Sequence, residues 1–101
     1  MDTTRTYPWE PSEDLETPES IVHYLEAALE DGDSKVIAAV LGDIARSKGM
    51  TAISEATGLG RESLYKSLSE NGNPEFATVL KVVEALGLRL LAVPIDSDRA
   101  A

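Results

Sequence analysis

The sequence predicts an all-α domain of five helices, preceded by an extended acidic arm and followed by a short strand. Three observations carry that expectation. Apolar residues recur at helical spacing in successive windows between residues 17 and 87. Glycines and prolines punctuate those windows at the places where helices stop and start. Residues 1–16 have no such periodicity and hold Pro8 and Pro11 on either side of Trp9. Proline removes a backbone donor and disfavours helix in the residue before it, so the arm should be extended.

The first helix starts at Thr17, which can cap, with Pro18 at the first helical position and Glu19 against the positive helix end. Ile21, Leu25 and Ala28, beside Val22 and Leu29, form one apolar stripe, and Gly32 stops the helix. Asp33 or Ser34 caps a second helix whose Ile37, Val40, Leu41 and Ile44 face inward, and Gly49 ends it. Thr51 is expected to cap a short third helix over 52–57, closed by Gly58. Gly60 precedes a fourth helix over 61–68, with Leu64 and Leu68 one turn apart. The Asn71, Gly72, Asn73 loop leads to Pro74, expected to open a fifth helix with Phe76, Val79, Leu80 and Val83 inward and Gly87 as its stop.

Residues 88–93, bounded by Gly87 and Pro94, are apolar and partly β-branched, which reads as a strand. No second strand is evident, so Leu88, Leu90, Leu91 and Val93 are candidate contacts across a dimer axis or with a partner's sheet edge. A sixth short helix or a packed extended tail is the alternative. The domain thus runs over 17–93, between the arm at 1–16 and a flexible tail at 94–101.

Within the domain, residues 50–69 satisfy the requirements of a helix-turn-helix. Ser54 is the small residue where the second helix crosses the first. Gly58, four residues later, can take the left-handed turn, and Ile53, Leu59 and Leu64 supply apolar anchors. Side chains opposite those anchors on the recognition helix would then face a major groove: Arg61, Glu62, Tyr65 and Lys66, with Gly60 and Ser63 near its start. Arg61 can pair with guanine, Lys66 can reach phosphate or guanine, and Tyr65 can contact phosphate or a thymine methyl. Thr51 is placed to hold a phosphate, and Arg46 and Lys48 add positive charge nearby. The plainer reading of Arg61, Glu62 and Lys66 is a solvated helix face with a Glu62–Lys66 pair.

Charge appears at first to contradict a nucleic-acid partner, because 18 acidic against 9 basic side chains give the 101-residue chain a net charge of -9. The imbalance is local. Residues 1–33 hold ten acids against Arg5 alone, residues 34–92 sum to +1, and the end from Val93 onward sums to -1. The acidic arm and first helix are either a solvating surface or a docking surface for a basic partner. Trp9 is either tucked onto its own domain or used as an interface anchor. Tyr7, Trp9, Glu13, Asp14 and Leu15 are the candidate contacts.

Enzyme chemistry has little to stand on. Without cysteine there is no disulfide, thiolate metal site or thiol nucleophile. His23 has no second ligand near it, and Ser54 and Ser63 lack a base. No cofactor or metal is expected. No apolar run approaches the roughly 20 residues that cross a bilayer, so a soluble, cytoplasmic protein is expected.

The stretches LGDIARSKGMT at 41–51, TGLGRESLYK at 57–66 and GNPEFATVLK at 72–81 closely resemble the probable addiction-module antidote proteins. These are HigA-like antitoxins with an Xre-type, lambda-repressor-like helix-turn-helix. The resemblance reaches YLEAA at 24–28 and GLRL at 87–90, and so covers most of residues 15–91. It implies a type II antitoxin that binds a RelE/ParE-superfamily toxin and represses its own operon as a dimer, with a heterotetramer with toxin as a further form. Gly60 stands where a serine-type cap is common in that family, and Ala52 where a longer polar side chain is common. Both departures imply weaker phosphate clamping. The alternatives are a protein-interaction module that does not touch DNA, or a simple transcriptional regulator without a toxin.

Overall fold

A computed structural model describes residues 17–95. Five helices follow in order among them: α1 (Pro18–Asp31), α2 (Ser34–Lys48), α3 (Met50–Thr57), α4 (Arg61–Ser67) and α5 (Phe76–Ala85). The tentative contacts of the arm, Tyr7, Trp9, Glu13, Asp14 and Leu15, lie outside the described residues.

Local chemistry sets the first two helices as expected. Thr17 is extended, and its hydroxyl accepts from the Ser20 amide at 3.1 Å, with Pro18 following at the first helical position. Between the two possible caps of α2, Asp33 is used: its carboxylate accepts from the Lys35 amide at 2.9 Å. Ile21, Leu25 and Ala28 bury the inner face of α1, whereas Val22 and Leu29 stay largely exposed.

The start of α3 differs from expectation. Thr51 is not its cap: Gly49 occupies that position, at φ +103°, and Thr51 lies one residue inside the helix. The Ile53 amide already donates to the Gly49 carbonyl at 3.1 Å, so the helical ladder begins before Thr51 can cap it. The hydroxyl of Thr51 is thereby released for another contact.

α5 begins at Phe76 rather than Pro74, with extended Glu75 before it. Its buried face is also rotated. Val82, Val83 and Leu86 are buried and Val79 is half-buried, while Phe76 and Leu80 are 68% and 43% exposed. Both stripes obey helical spacing, and contact with the earlier helices selects the later one.

One core joins all five helices. Ile21 and Leu25 from α1, Leu41 and Ile44 from α2, Ile53 from α3, Leu64 from α4 and Val82 and Val83 from α5 belong to it, as does Leu68 just beyond α4. Gly42 makes this packing possible. A Cβ there would stand 2.1 Å from the Leu68 carbonyl oxygen, so the end of α4 rests directly on the backbone of α2.

No strand forms among the described residues, so the expected strand at 88–93 is not present. The chain instead leaves α5 through a Schellman turn, in which the Leu88 amide donates to the Val83 carbonyl and the Gly87 amide to Glu84. Leu88 and Leu90 are then half-buried against the chain's own core, and Leu91 and Val93 point outward. The segment is a packed tail because this fold holds no sheet edge among the described residues for it to join.

Candidate nucleic-acid interface

α3, α4 and the turn between them are held by side chains as well as by backbone. Gly58 takes the left-handed conformation, φ +76° and ψ 12°, and its amide donates to the Ser54 carbonyl at 2.8 Å. A side chain at that φ would be strained, which explains glycine there. The Ser54 hydroxyl donates to the Leu59 carbonyl across the turn. Thr57 adds a stitch that sequence reasoning missed: its hydroxyl donates to the Ile53 carbonyl at 2.8 Å and accepts from the Leu59 amide at 3.2 Å. Thr57 is a polar residue at the end of a short helix just before a glycine, which is the signal that could have marked it.

Beneath this unit, Ile53, Leu64 and Leu68 are buried and Leu59 is half-buried, so each expected anchor is in place. Burying Leu64 fixes which side of α4 points out. Arg61, Glu62, Ser63, Tyr65 and Lys66 are all exposed, and so is Thr51 on α3. Gly60 is extended and precedes α4 without a side-chain cap.

Two of the expected residues meet directly. The Arg61 guanidinium donates through Nη1 to the Thr51 hydroxyl at 3.2 Å, joining the two helices on their outer face. The bond restricts Arg61 and leaves its remaining donors available. No Glu62–Lys66 ion pair forms among the described residues, so the plainer reading of that face as a paired, solvated surface loses its main interaction.

The far end of α4 is also supported. The Ser69 hydroxyl donates to the Lys66 carbonyl at 2.9 Å. Gly72 lies so close that a Cβ would stand 2.2 Å from the Ser67 carbonyl oxygen and 2.5 Å from that of Lys66. Its composition alone marked this loop as a turn, without showing that it braces α4.

Arg46 contributes less positive charge than expected. Its guanidinium is paired with the Asp43 carboxylate, which also accepts from the Tyr24 hydroxyl at 2.8 Å. Burial, reinforced by that hydrogen bond, pushes the Tyr24 hydroxyl up to about 12. The trio ties α1 to α2. Lys48, Arg61 and Lys66 are left as the exposed cations around the interface. His23 is exposed on α1, and no metal-holding group of side chains occurs among the described residues.

The sequence pattern of the probable addiction module antidote protein family matches residues 5–94 of this chain. The chain belongs to that family. An uncharacterized protein of Haemophilus influenzae is similar to it, 46% identical over 78 residues that span 77% of this chain and 80% of that protein. No solved structure matches the chain. Membership makes this protein an addiction-module antidote, implies a toxin as partner in general terms, and points to a regulatory rather than an enzymatic role. The antidote exposes Lys48, Arg61 and Lys66 around α4, while ten of its 18 acidic residues precede Ser34.

Proposed function

We propose that this antidote neutralises a RelE/ParE-type toxin and represses its own operon by placing α4 in the major groove of operator DNA. One observation carries the DNA half of this reading. Leu64 and Leu68 are buried while Arg61, Glu62, Ser63, Tyr65 and Lys66 are exposed, and Arg61 reaches the exposed Thr51 of α3. Arg61, steadied by Thr51, donates to a guanine edge, and Lys66 and Tyr65 take phosphate or base contacts. Thr51 and the uncovered backbone at Gly60 complete the phosphate side. On this reading the antidote is an Xre-type, HigA-like repressor.

The near-neutral domain gives each copy a small electrostatic attraction to phosphate, so a dimer, or a heterotetramer with toxin, presents two α4 helices to half-sites about one helical turn apart. Leu88 and Leu90, once expected at the dimer axis, are used inside the chain. Leu91 and Val93 are exposed, and the dimer is not assigned to them. A toxin that handles RNA or ribosomes should be basic, which makes the acidic arm, with Tyr7, Trp9, Glu13, Asp14 and Leu15, a fitting contact. Removing residues 1–16 is then expected to weaken toxin neutralisation more than DNA binding. A cytoplasmic setting goes with operator DNA as a ligand.

The overall charge of -9 favours a second reading, an interaction module that never touches DNA. A gel shift with the DNA upstream of its own gene, at stated salt, separates the two. A specific shift that survives competitor DNA supports repression, and its absence at low salt leaves only the interaction module.

A further inference from the structure

The side of the molecule built from α1 and the C-terminal tail carries an apolar groove of about 680 Å³. Val22 and Leu29 line its α1 wall, and Leu91, Val93 and Ile95 line the other. The tail residues are 74%, 70% and 75% exposed and stand together on one wall, a contiguous apolar patch rather than scattered residues. Among the described residues, the backbone of residues 89–95 makes no hydrogen bond to other backbone. We infer that this groove is a toxin-docking surface, taking an extended segment whose apolar side chains are fringed by lysine or arginine.

Charge selects that occupant. Glu26 and Glu30 line the groove, opposed there by Arg89. Along its whole length α1 carries Glu19, Glu26, Glu30 and Asp31 and neither lysine nor arginine. Such a rim repels nucleic-acid phosphate and anionic lipid. A second copy is also disfavoured. Two-fold pairing brings the same patch against itself, and the carboxylates would outnumber the arginines as water left. A basic segment instead pairs with Glu26 and Glu30 and buries the tail's apolar side chains, and residues 89–95, which make no backbone hydrogen bond among the described residues, can pair with it as an added strand. The groove thus extends the toxin contact beyond the arm, to a face formed by other elements than α3 and α4.

This inference rests on the reading that the antidote has a toxin partner, and its test separates the two. The full chain is titrated with the purified protein encoded beside it, using wild type, E26K/E30K and L91S/V93S. All four positions are exposed, and thermal melts verify that each variant folds. Both variants should bind that protein at least tenfold more weakly, with the salt dependence of binding reduced in E26K/E30K. Operator affinity should not fall, and the mass of the free protein by light scattering should not change. Wild-type binding that persists within twofold in both variants overturns the groove assignment but not the antidote reading. A free-protein mass that drops in the variants, with toxin affinity retained, assigns the groove to a second copy and overturns it too. If wild type itself fails to bind the neighbouring protein, the toxin reading fails and the groove assignment with it.

Discussion

Replacing Gly42 with alanine should destabilise the fold, although alanine is the better helix former. The new Cβ would lie 2.1 Å from the Leu68 carbonyl oxygen, 3.2 Å from its carbon and 3.3 Å from an Arg46 guanidinium nitrogen. Relief to ordinary contact needs a displacement of roughly 1.4 Å. The Arg46 tip can swing away, but Leu68 is fully buried and cannot. Overpacking of this kind costs about 1–3 kcal/mol, against a propensity gain of about 0.5–1 kcal/mol. A net loss of about 1–2 kcal/mol corresponds to a fall in melting temperature of roughly 5–15 °C in a domain of this size. Circular dichroism melts would measure it, with Gly60→Ala as the control. There the nearest atom to the added Cβ is Ser63 Oγ at 4.0 Å and φ is -68°, so the change should stay within about 0.5 kcal/mol. A Gly42→Ala protein as stable as wild type, or more so, would refute the close approach of α4 to α2.

Leu64→Ala should cost about 2–5 kcal/mol in urea unfolding, since Leu64 is 1% exposed and anchors α4 from below. Thr57→Val keeps the shape of that side chain but removes its bonds to Ile53 and Leu59, and should cost about 1–2 kcal/mol by the same measurement. Tyr24→Phe tests the Asp43 contact through pH. The folded state holds the Tyr24 proton more tightly than the unfolded chain, with the hydroxyl raised from 10.0 to about 12. Its contribution is therefore complete below pH 10 and is lost as pH rises through 10 toward 12. Denaturation series across that range should show a loss in wild type that the phenylalanine variant lacks.

Features set by neighbouring residues were legible in the sequence. Thr17, Pro18 and Gly32 act within one turn of themselves, so α1 could be placed by inspection. The turn between α3 and α4, set by Ser54 and Gly58, was legible for the same reason. What depended on distant partners was not. Two overlapping stripes on α5, one from Phe76 and one from Val79, satisfy helical spacing equally, and only packing against the other helices chooses between them. Gly42 reads as a mere propensity defect until Leu68 is seen against it. Residues 88–93 have the composition of a strand, but composition cannot provide the neighbour that a ladder requires. The Arg61–Thr51 bond joins residues ten apart on separate helices, with Thr51 inside α3 rather than at its cap.

The central claim, that the outer face of α4 reads operator DNA, is tested most directly by fluorescence anisotropy on the upstream DNA with wild type, Arg61→Ala and Lys66→Ala. Both residues are exposed, so Lys66→Ala should leave the melting temperature unchanged, and Arg61→Ala, which also removes the exposed bond to Thr51, should lower it by no more than a few degrees. Loss of a base contact at Arg61 should weaken specific binding by about 1–3 kcal/mol, roughly 5- to 150-fold. Loss of a phosphate contact at Lys66 should weaken all sequences alike and lower the slope of log affinity against log salt by about 1. Operator affinity and salt slope unchanged in both variants would contradict the account.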